Sequence, residues 1–220
     1  MPIELHWLSG SPYAWRVQLA LEIKGLSYLS HRHQLSTGEL KQPEYLAINP
    51  RGRVPTLVDN GYVVYESMAI LAYLDRKYPE PALFGTTPED TGLIWQVIAE
   101  YTAYMDHAVE SLILPIYFGR TEEKAGSIRE AASKLHTELD FVNRLVAERD
   151  YLVGDVITAA DIVVFPHVKS IERAASKADA QPMNLGFLPL EARWPAMARW
   201  LKHIERLNGY ERTYPPHWRK

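Results

Sequence analysis

The chain has 220 residues, of which 47% are hydrophobic and 23% are charged, the balance of an ordinary globular protein. Its formal net charge of -3 gives no electrostatic reason to bind nucleic acid, and no apolar run approaches the roughly 20 residues that span a membrane. There is no cysteine, which excludes disulfides, thiolate nucleophiles and cysteine metal sites.

Strands and helices alternate in the first third of the chain. The pattern predicts a strand at 3–8, a helix at 12–24 that ends at Gly25, and a second strand at 27–31. Residues 37–47 have the composition of a loop with a short helix. A parallel pair of strands joined by a helix is the arrangement that this order favours.

A hairpin followed by a helix is the strongest local prediction. Two apolar runs are joined by Asp59-Asn60-Gly61, and Asn-Gly between β-rich segments favours a tight turn because both residues accept positive φ. Apolar residues then recur with helical spacing from Ile70 to Tyr78. Ser67 therefore lies in the first turn of a helix, where free backbone N–H groups attract a carboxylate.

The rest of the chain is predicted to be helical. We expect an α+β first domain at residues 1–79, with the order β-α-β-α-β-β-α and a mixed sheet, and a linker rich in helix breakers at 80–88. An all-α helical bundle is expected at 89–220. Its long helices are predicted at 89–117 and 124–148, and its last helix begins at Trp194-Pro195.

Another helix of this bundle begins with a specific pattern at Thr158. Thr158 as the N-cap and Asp161 three positions later follow the capping box, with Asp in place of the usual Glu. Ile157 and Ile162 occupy the positions of a hydrophobic staple. The pattern predicts a helix start that depends on the side chain of Asp161.

Ser11 precedes Pro12, and proline is favoured at the first helical position, so Ser11 is the predicted N-cap of the first helix. Two interpretations of its hydroxyl are open. It either only caps the helix, or it faces a cleft and donates a hydrogen bond to a substrate.

Four motifs in order resemble the glutathione S-transferase family over nearly the whole chain. They are Ser11-Pro12-Tyr13 with Arg16-Val17, then Val54-Pro55, Glu66-Ser67, and Ile157-Thr158-Ala159-Ala160-Asp161. The chain is most similar to the serine-type zeta and tau patterns. The resemblance implies a thioredoxin-like first domain, transferase activity with glutathione as co-substrate, a small electrophilic substrate and a homodimer.

By this resemblance, Ser11 is the catalytic residue that stabilises the glutathione thiolate. Tyr13 is the rival donor, but tyrosine-type classes carry their tyrosine at the end of the first strand, where Trp7-Leu8 stand here. No role follows from the sequence for Arg16. The resemblance assigns glutathione binding to Lys41, Arg53, Val54, Glu66 and Ser67, with Pro55 in the cis form.

Glu66 is expected to pair with the ammonium of glutathione and Ser67 with its γ-glutamyl carboxylate. Val54 is expected to pair its backbone with the cysteinyl part. Lys41 and Arg53 either neutralise the glycyl carboxylate or are solvated surface cations, and both interpretations are open.

A pocket for the electrophile is expected between the two domains. Apolar and aromatic residues at helical spacing more often belong to the core than line a ligand pocket, so the candidates either pack in the core or contact the electrophile. The candidates are Tyr13, Tyr101, Tyr104, Met105 and Ala108.

Other functions are weighed against the transferase. The same site suits a glutathione-dependent isomerase, dehalogenase or ether-cleaving enzyme, although zeta-like isomerases carry Ser-Ser-Cys where this chain has Ser11-Pro12-Tyr13. A non-catalytic binding or scaffold protein of the same family is a further alternative. A thioredoxin-like oxidoreductase needs a protein thiol and is excluded.

The remaining expectations concern metals and location. The eight histidines show no His-Glu-x-x-His pattern, so we expect no metal site. The N-terminus lacks the basic and then apolar layout of a signal peptide, so we expect a cytoplasmic protein. The aromatic and basic tail at 214–220 is expected either to fold back over the cleft or to extend freely.

Overall fold

Four strands form one mixed sheet. They are β1 (Ile3–Leu8), β2 (Tyr28–His33), β3 (Thr56–Asp59) and β4 (Tyr62–Tyr65), in the order β2-β1-β3-β4. β1 pairs with β2 in parallel, whereas β3 runs antiparallel to both β1 and β4. The mixed sheet and the strand order along the chain are as predicted.

The computed structural model describes residues 2–219. They separate into two compact units. The first runs to Phe84 and also includes the segment from Arg206 onward, and the second is Gly85–Glu205.

The helices of the first unit are α1 (Pro12–Ile23), α2 (Pro43–Leu46) and α3 (Ser67–Lys77). Short 3-10 turns at Leu35–Thr37 and Glu39–Lys41 precede α2. The predicted hairpin is confirmed, because Asn60 and Gly61 adopt φ of 51° and 85° between β3 and β4. The Val54–Pro55 peptide bond is cis, as the resemblance implied.

The two faces of the sheet differ in polarity. Ile3, Leu5 and Trp7 of β1 are buried, and the alternating positions Glu4 and His6 point to the other face. Tyr45 of α2 covers that second face, where its ring meets His6 edge-on at 5.6 Å between centroids. The β1 strand therefore separates an apolar core from a polar, histidine-rich face.

The second unit is helical. Its elements are α4 (Pro88–Glu100), a π-helical turn (Tyr101–Met105), α5 (Asp106–Tyr117), α6 (Ala125–Leu145), α7 (Ala159–Ala175), α8 (Leu190–Arg193) and α9 (Pro195–Glu205). The single helix predicted at 89–117 is thus α4 and α5 with a widened turn between them. Across residues 2–219, no helix is both long enough and apolar enough to span a membrane.

The C-terminal segment corrects the predicted domain division. We expected residues 206–220 to belong to the helical domain, but the segment from Arg206 packs with the first unit and contains α10 (Tyr210–Thr213). Trp15 of α1 donates from Nε1 to Thr213 Oγ1 at 2.8 Å, and the Trp218 ring packs edge-on against Trp15 at 5.6 Å. Burial of these aromatic rings against α1 explains why the segment folds back.

Candidate functional site around Ser11

Ser11 begins α1 as predicted. It has extended backbone angles, φ −73° and ψ 115°, and its Oγ accepts a hydrogen bond from the Ala14 backbone N–H at 3.3 Å. The side chain is half-buried. A hydroxyl has one donor and two acceptor positions, so accepting from Ala14 leaves the Ser11 proton free to point at a ligand. The capping role and the ligand-donor role are therefore compatible.

Arg16 connects α1 to the first turn of α3. It is 3% exposed, and its Nη1 donates to Ser67 Oγ at 3.2 Å. Its guanidinium also lies over the Tyr13 ring, 4.9 Å from the centroid. A buried cation beside Ser67 makes the start of α3 favourable for an anionic group. The sequence alone assigned Arg16 no role, and its position supplies one.

Glu66 and Ser67 lie at the entrance to α3. Glu66 is exposed and is the residue immediately before the helix, with φ of 69° and ψ of 117°. A positive φ in a residue other than glycine costs on the order of 1–3 kcal/mol and is concentrated at ligand-binding sites. Ser67 is buried and opens the helix, so its backbone N–H is one of the groups that lack a partner within the helix.

Lys41 and Arg53 occupy neighbouring loops. The exposed Lys41 donates from Nζ to the backbone oxygens of Arg51 at 3.1 Å and Gly52 at 3.0 Å. An ammonium has three donors, so one remains for a ligand. The Arg53 side chain is exposed, and its carbonyl is fixed by Tyr45 Oη at 2.6 Å. Val54 follows as a half-buried residue.

The candidates in the helical unit divide into two sets. Tyr101 and Met105 are each 3% exposed, and the Tyr101 hydroxyl donates to Asp106 Oδ1 at 2.7 Å. Tyr104 is 64% exposed. All three residues belong to the π-helical turn, and such turns are frequent at functional sites.

A groove of about 580 Å³ runs along the helical unit. Tyr104 and Ala108 line it from one side, and residues of α6 such as Glu130 and Lys134 line it from the other. The structure thus brings two of the predicted pocket residues together and places Tyr101 and Met105 in the interior.

His217 is a neighbour of the Ser11 turn that sequence reasoning missed. Its Nδ1 lies 2.6 Å from Ser9 Oγ. Gly10 has φ of 81°, a backbone conformation that favours glycine. A Cβ added there would lie 2.8 Å from the His217 ring, so the ring would have to move. The aromatic, basic tail was visible in the sequence, but its contact with residues 9 and 10 was not.

A group able to hold a metal ion was also missed. Glu4, His6 and His31 each offer a ligand atom, and these atoms lie within 4.8 Å of one another. Burial, assisted by the neighbouring His31 and His33, lowers the pKa of His6 to about 4. The sequence predicts no metal site, because no local metal-binding motif is present. The usable signal was the alternation of Glu4 with His6 in the first predicted strand and of His31 with His33 at the end of the second. The structure extends that second strand from the predicted 27–31 to Tyr28–His33.

Two family models match this sequence. Residues 5–82 match the glutathione S-transferase N-terminal domain, and residues 125–203 match the glutathione S-transferase C-terminal domain. Glutathione S-transferase F10 of Arabidopsis thaliana is 34% identical over 170 residues, which are 74% of this chain and 78% of the relative.

A second relative covers more of the chain. Maleylacetoacetate isomerase of Pseudomonas aeruginosa is 32% identical over 202 residues, which are 88% of this chain and 93% of the isomerase. Among solved structures, a glutathione S-transferase from the Antarctic clam Laternula elliptica superimposes with a TM-score of 0.81 at 27% identity. The match covers 99% of this chain and 94% of the clam protein. On its sequence and its fold, this chain belongs to the glutathione S-transferase family.

Proposed function

We propose that the protein transfers glutathione to small hydrophobic electrophiles and that Ser11 stabilises the reacting thiolate. The observation that carries the proposal is the Arg16–Ser67 hydrogen bond of 3.2 Å between two buried side chains. It ties the start of α3, where a carboxylate is favoured, to α1, whose N-cap hydroxyl retains a free proton.

The energetics of the thiol support a role for a single hydroxyl. A free thiol has a pKa near 8.5, so only about 3% is thiolate at neutral pH. Lowering that pKa by roughly two units requires about 2.7 kcal/mol of differential stabilisation. A hydrogen bond to an anion supplies about 1.5–3 kcal/mol, and a helix N-terminus adds up to about 1 kcal/mol. Ser11 at the N-terminus of α1 combines both contributions.

The remaining parts of glutathione have proposed partners in the same unit. Glu66 pairs with the ammonium, and Ser67 binds the γ-glutamyl carboxylate with its hydroxyl and backbone N–H. The backbone of Val54 pairs with the cysteinyl part. The third N–H of Lys41, together with the exposed Arg53, binds the glycyl carboxylate.

Residues that contact the electrophile are proposed separately. Tyr13, held under the Arg16 guanidinium, is the candidate of the first unit. Tyr104 and Ala108 are the candidates that line the groove of the helical unit. Met105 and Tyr101 are buried and would act through the conformation of the π-helical turn.

The test is glutathione conjugation to a chlorodinitrobenzene-type electrophile by the wild type, Ser11→Ala and Ser9→Ala. We expect turnover of Ser11→Ala to fall about a hundredfold, because the lost hydroxyl supplies most of the about 2.7 kcal/mol of thiolate stabilisation while the N-terminus of α1 remains. Ser9→Ala is the matched control, because it removes a nearby hydroxyl that is directed to His217. Titration of the thiolate absorbance of bound glutathione should give a pKa near 6.5 in the wild type and a value roughly one to two units higher in Ser11→Ala.

Equal rates and equal thiol pKa values in the wild type and Ser11→Ala would contradict the proposal. In that case Tyr13→Phe tests the rival donor. If no variant turns over the electrophile while glutathione still binds, the scaffold interpretation is favoured.

A glutathione-dependent isomerase is the second candidate, and the similarity to maleylacetoacetate isomerase over 88% of this chain favours it. Isomerisation also uses the glutathione thiolate, so the Ser11 site serves both reactions. Glutathione-dependent conversion of maleylacetoacetate, without net consumption of glutathione, distinguishes isomerase from transferase. The homodimer implied by the family resemblance is tested by sedimentation velocity of the intact protein.

A further inference from the structure

Five ionisable side chains gather on the face of the sheet that carries α2. Glu4 and His6 come from β1, His31 and His33 from β2, and Glu39 from the 3-10 turn that follows. Parallel pairing sets Glu4 opposite residue 29 and His6 opposite His31, so the alternation of both strands turns these side chains to the same face. We call this group the histidine cluster.

Three members of the histidine cluster are within reach of one ion. Ligand atoms of Glu4, His6 and His31 lie within 4.8 Å of one another, and His31 Nε2 is 2.8 Å from Glu4 Oε2. Two ligands bound to zinc at about 2.0–2.1 Å in tetrahedral geometry are about 3.3 Å apart. Insertion of an ion between His31 and Glu4 therefore needs a separation larger by only a few tenths of an ångström.

The other two members orient His6. His33 Nε2 lies 2.9 Å from His6 Nδ1, and His33 Nδ1 lies 3.0 Å from Glu39 Oε2. The His33–Glu39 contact lacks hydrogen-bond geometry, but the nearby carboxylate favours the proton of a neutral His33 on Nδ1. His33 Nε2 then accepts from His6 Nδ1, and the lone pair of a neutral His6 is on Nε2. That tautomer leaves His6 Nε2 able to bind a metal ion. Histidine ligands in metal sites commonly donate their other ring N–H to a fixed acceptor, and here the acceptor is His33 Nε2.

We propose that Glu4, His6 and His31 bind one divalent transition metal ion, with Zn²⁺ as the reference ion, and that His33 and Glu39 are positioning residues. Two imidazoles and one carboxylate favour zinc, copper or nickel over magnesium and calcium, which prefer oxygen ligands. The His31 and Glu4 side chains are 41% and 32% exposed, so an ion can enter from solvent and retain a water as its fourth ligand. This site does not depend on the role proposed for Ser11.

The test is titration calorimetry of the chelator-treated full-length protein with Zn²⁺ in a buffer that does not bind metals. We expect one Zn²⁺ per chain and an affinity that falls at least about tenfold in each of His31→Gln and Glu4→Gln. His107→Gln is the matched control, because His107 is an exposed histidine of α5 outside the cluster. It should bind Zn²⁺ as the wild type does.

Two further measurements distinguish a site from scattered surface binding. Co²⁺ in place of Zn²⁺ should give visible absorption typical of tetrahedral coordination in the wild type and not in His31→Gln. His33→Gln should weaken binding less than His31→Gln, since His33 acts through His6. Circular dichroism of each variant verifies that it is folded.

The proposal is overturned if folded wild type takes up no Zn²⁺ at millimolar concentration. It is also overturned if His31→Gln and Glu4→Gln bind Zn²⁺ as tightly as the wild type and His107→Gln do. In either case the histidine cluster is a set of interacting polar side chains that does not bind a metal ion.

Discussion

The hydroxyl of Ser11 has one proton and two lone pairs, and these can serve different partners at once. One lone pair accepts from the Ala14 N–H at 3.3 Å, which satisfies one of the free donors of α1. The proton remains for a ligand. A serine cap at the start of a helix can therefore be structural and functional together, and the two interpretations that the sequence left open do not compete.

Arg16 is expected to act on glutathione binding through Ser67. In Arg16→Lys the planar guanidinium, which both donates to Ser67 and covers Tyr13, is replaced by a single ammonium. Loss of a hydrogen bond to a buried cation corresponds to about 1.5–3 kcal/mol. We expect the Kd of glutathione to rise roughly tenfold to a hundredfold, measured by titration calorimetry.

Arg76→Lys is the control for that experiment, because Arg76 is an exposed arginine of α3. It should leave the Kd of glutathione unchanged. If Arg16→Lys remains folded and binds glutathione as the wild type does, the guanidinium has no part in shaping the start of α3.

Among the helices, α7 has the most specific start. The predicted capping box is confirmed, since Thr158 donates its backbone N–H to Asp161 Oδ2 at 3.0 Å. The fully buried Asp161 also accepts from the Leu152 N–H at 2.8 Å and from Trp200 Nε1 at 2.9 Å. Burial raises the pKa of Asp161, and these hydrogen bonds oppose the rise. One carboxylate thus joins the turn before α7, the helix itself and α9.

Substitutions in the capping box should differ in their effect on stability. We expect Thr158→Ala to lower the free energy of unfolding by about 1 kcal/mol, the usual value for a lost cap. Asp161→Ala should cost about 3 kcal/mol or more, because it leaves buried donors without acceptors. Urea unfolding followed by circular dichroism measures both.

Asp155→Ala is the matched control for α7, since Asp155 is an exposed aspartate just before the helix. Its effect should be below about 0.5 kcal/mol. Similar losses from Asp155→Ala and Asp161→Ala would show that the carboxylate network of Asp161 is not what stabilises this region.

The hairpin and α3 are joined by a second buried carboxylate. Asp59 Oδ2 accepts from Lys77 Nζ at 2.7 Å, from Tyr78 Oη at 2.9 Å and from Tyr73 Oη at 3.0 Å. Burial alone would raise the pKa of Asp59, but these hydrogen bonds outweigh it and leave the pKa below its ordinary value. The end of β3 is thereby attached to the last turn of α3.

Acid should remove the stabilisation that Asp59 provides. A lowered pKa in the folded state means that the unfolded chain binds the proton more tightly. The contribution is therefore full above the unfolded pKa of about 3.9 and is lost as pH falls through the folded value. We expect the urea concentration at the unfolding midpoint to decrease once the pH is lowered below about 4.

Asp59→Asn lacks the titrating group and should be less stable than the wild type at pH 6. Its urea midpoint should depend less on pH between about pH 4.5 and pH 2.5, which brackets that window. An equal slope in the wild type and Asp59→Asn would exclude Asp59 as a source of the acid sensitivity.

At the scale of the whole molecule, the C-terminal segment returns to the first unit and packs beside the turn that contains Ser11. The segment from Arg206 returns to the first unit, where Trp218 is 6% exposed and packs edge-on against Trp15. His217 beside it meets the turn at Ser9 and Gly10, next to Ser11. The segment from Arg206 thus adds His217 to the surroundings of the candidate site.

Trp218→Ala should lower the free energy of unfolding by about 3 kcal/mol, because it removes a buried aromatic side chain. Thermal unfolding followed by circular dichroism measures the loss. Trp95→Ala is the control, since Trp95 is 43% exposed on α4 and its loss should cost below about 1 kcal/mol. Equal melting temperatures for Trp218→Ala and the wild type would mean that the segment adds nothing to the stability of this unit.

Features that depend on neighbours in the chain were predicted well. The turn at Asn60-Gly61 and the capping box at Thr158 are specified within four residues, and apolar periodicity located the long helices. The motifs at Ser11, Val54, Ser67 and Thr158 together suggested the family for the same reason, since each is a short run of neighbouring residues.

Contacts between distant residues required the fold. Arg16 and Ser67 are 51 positions apart, and Ser9 and His217 are 208 apart. Glu4, His6 and His31 come together only through the register of β1 against β2, and a shift of one residue would turn them to opposite faces. Local propensities determine which helices and strands form, whereas burial of the apolar faces determines which of their polar side chains meet.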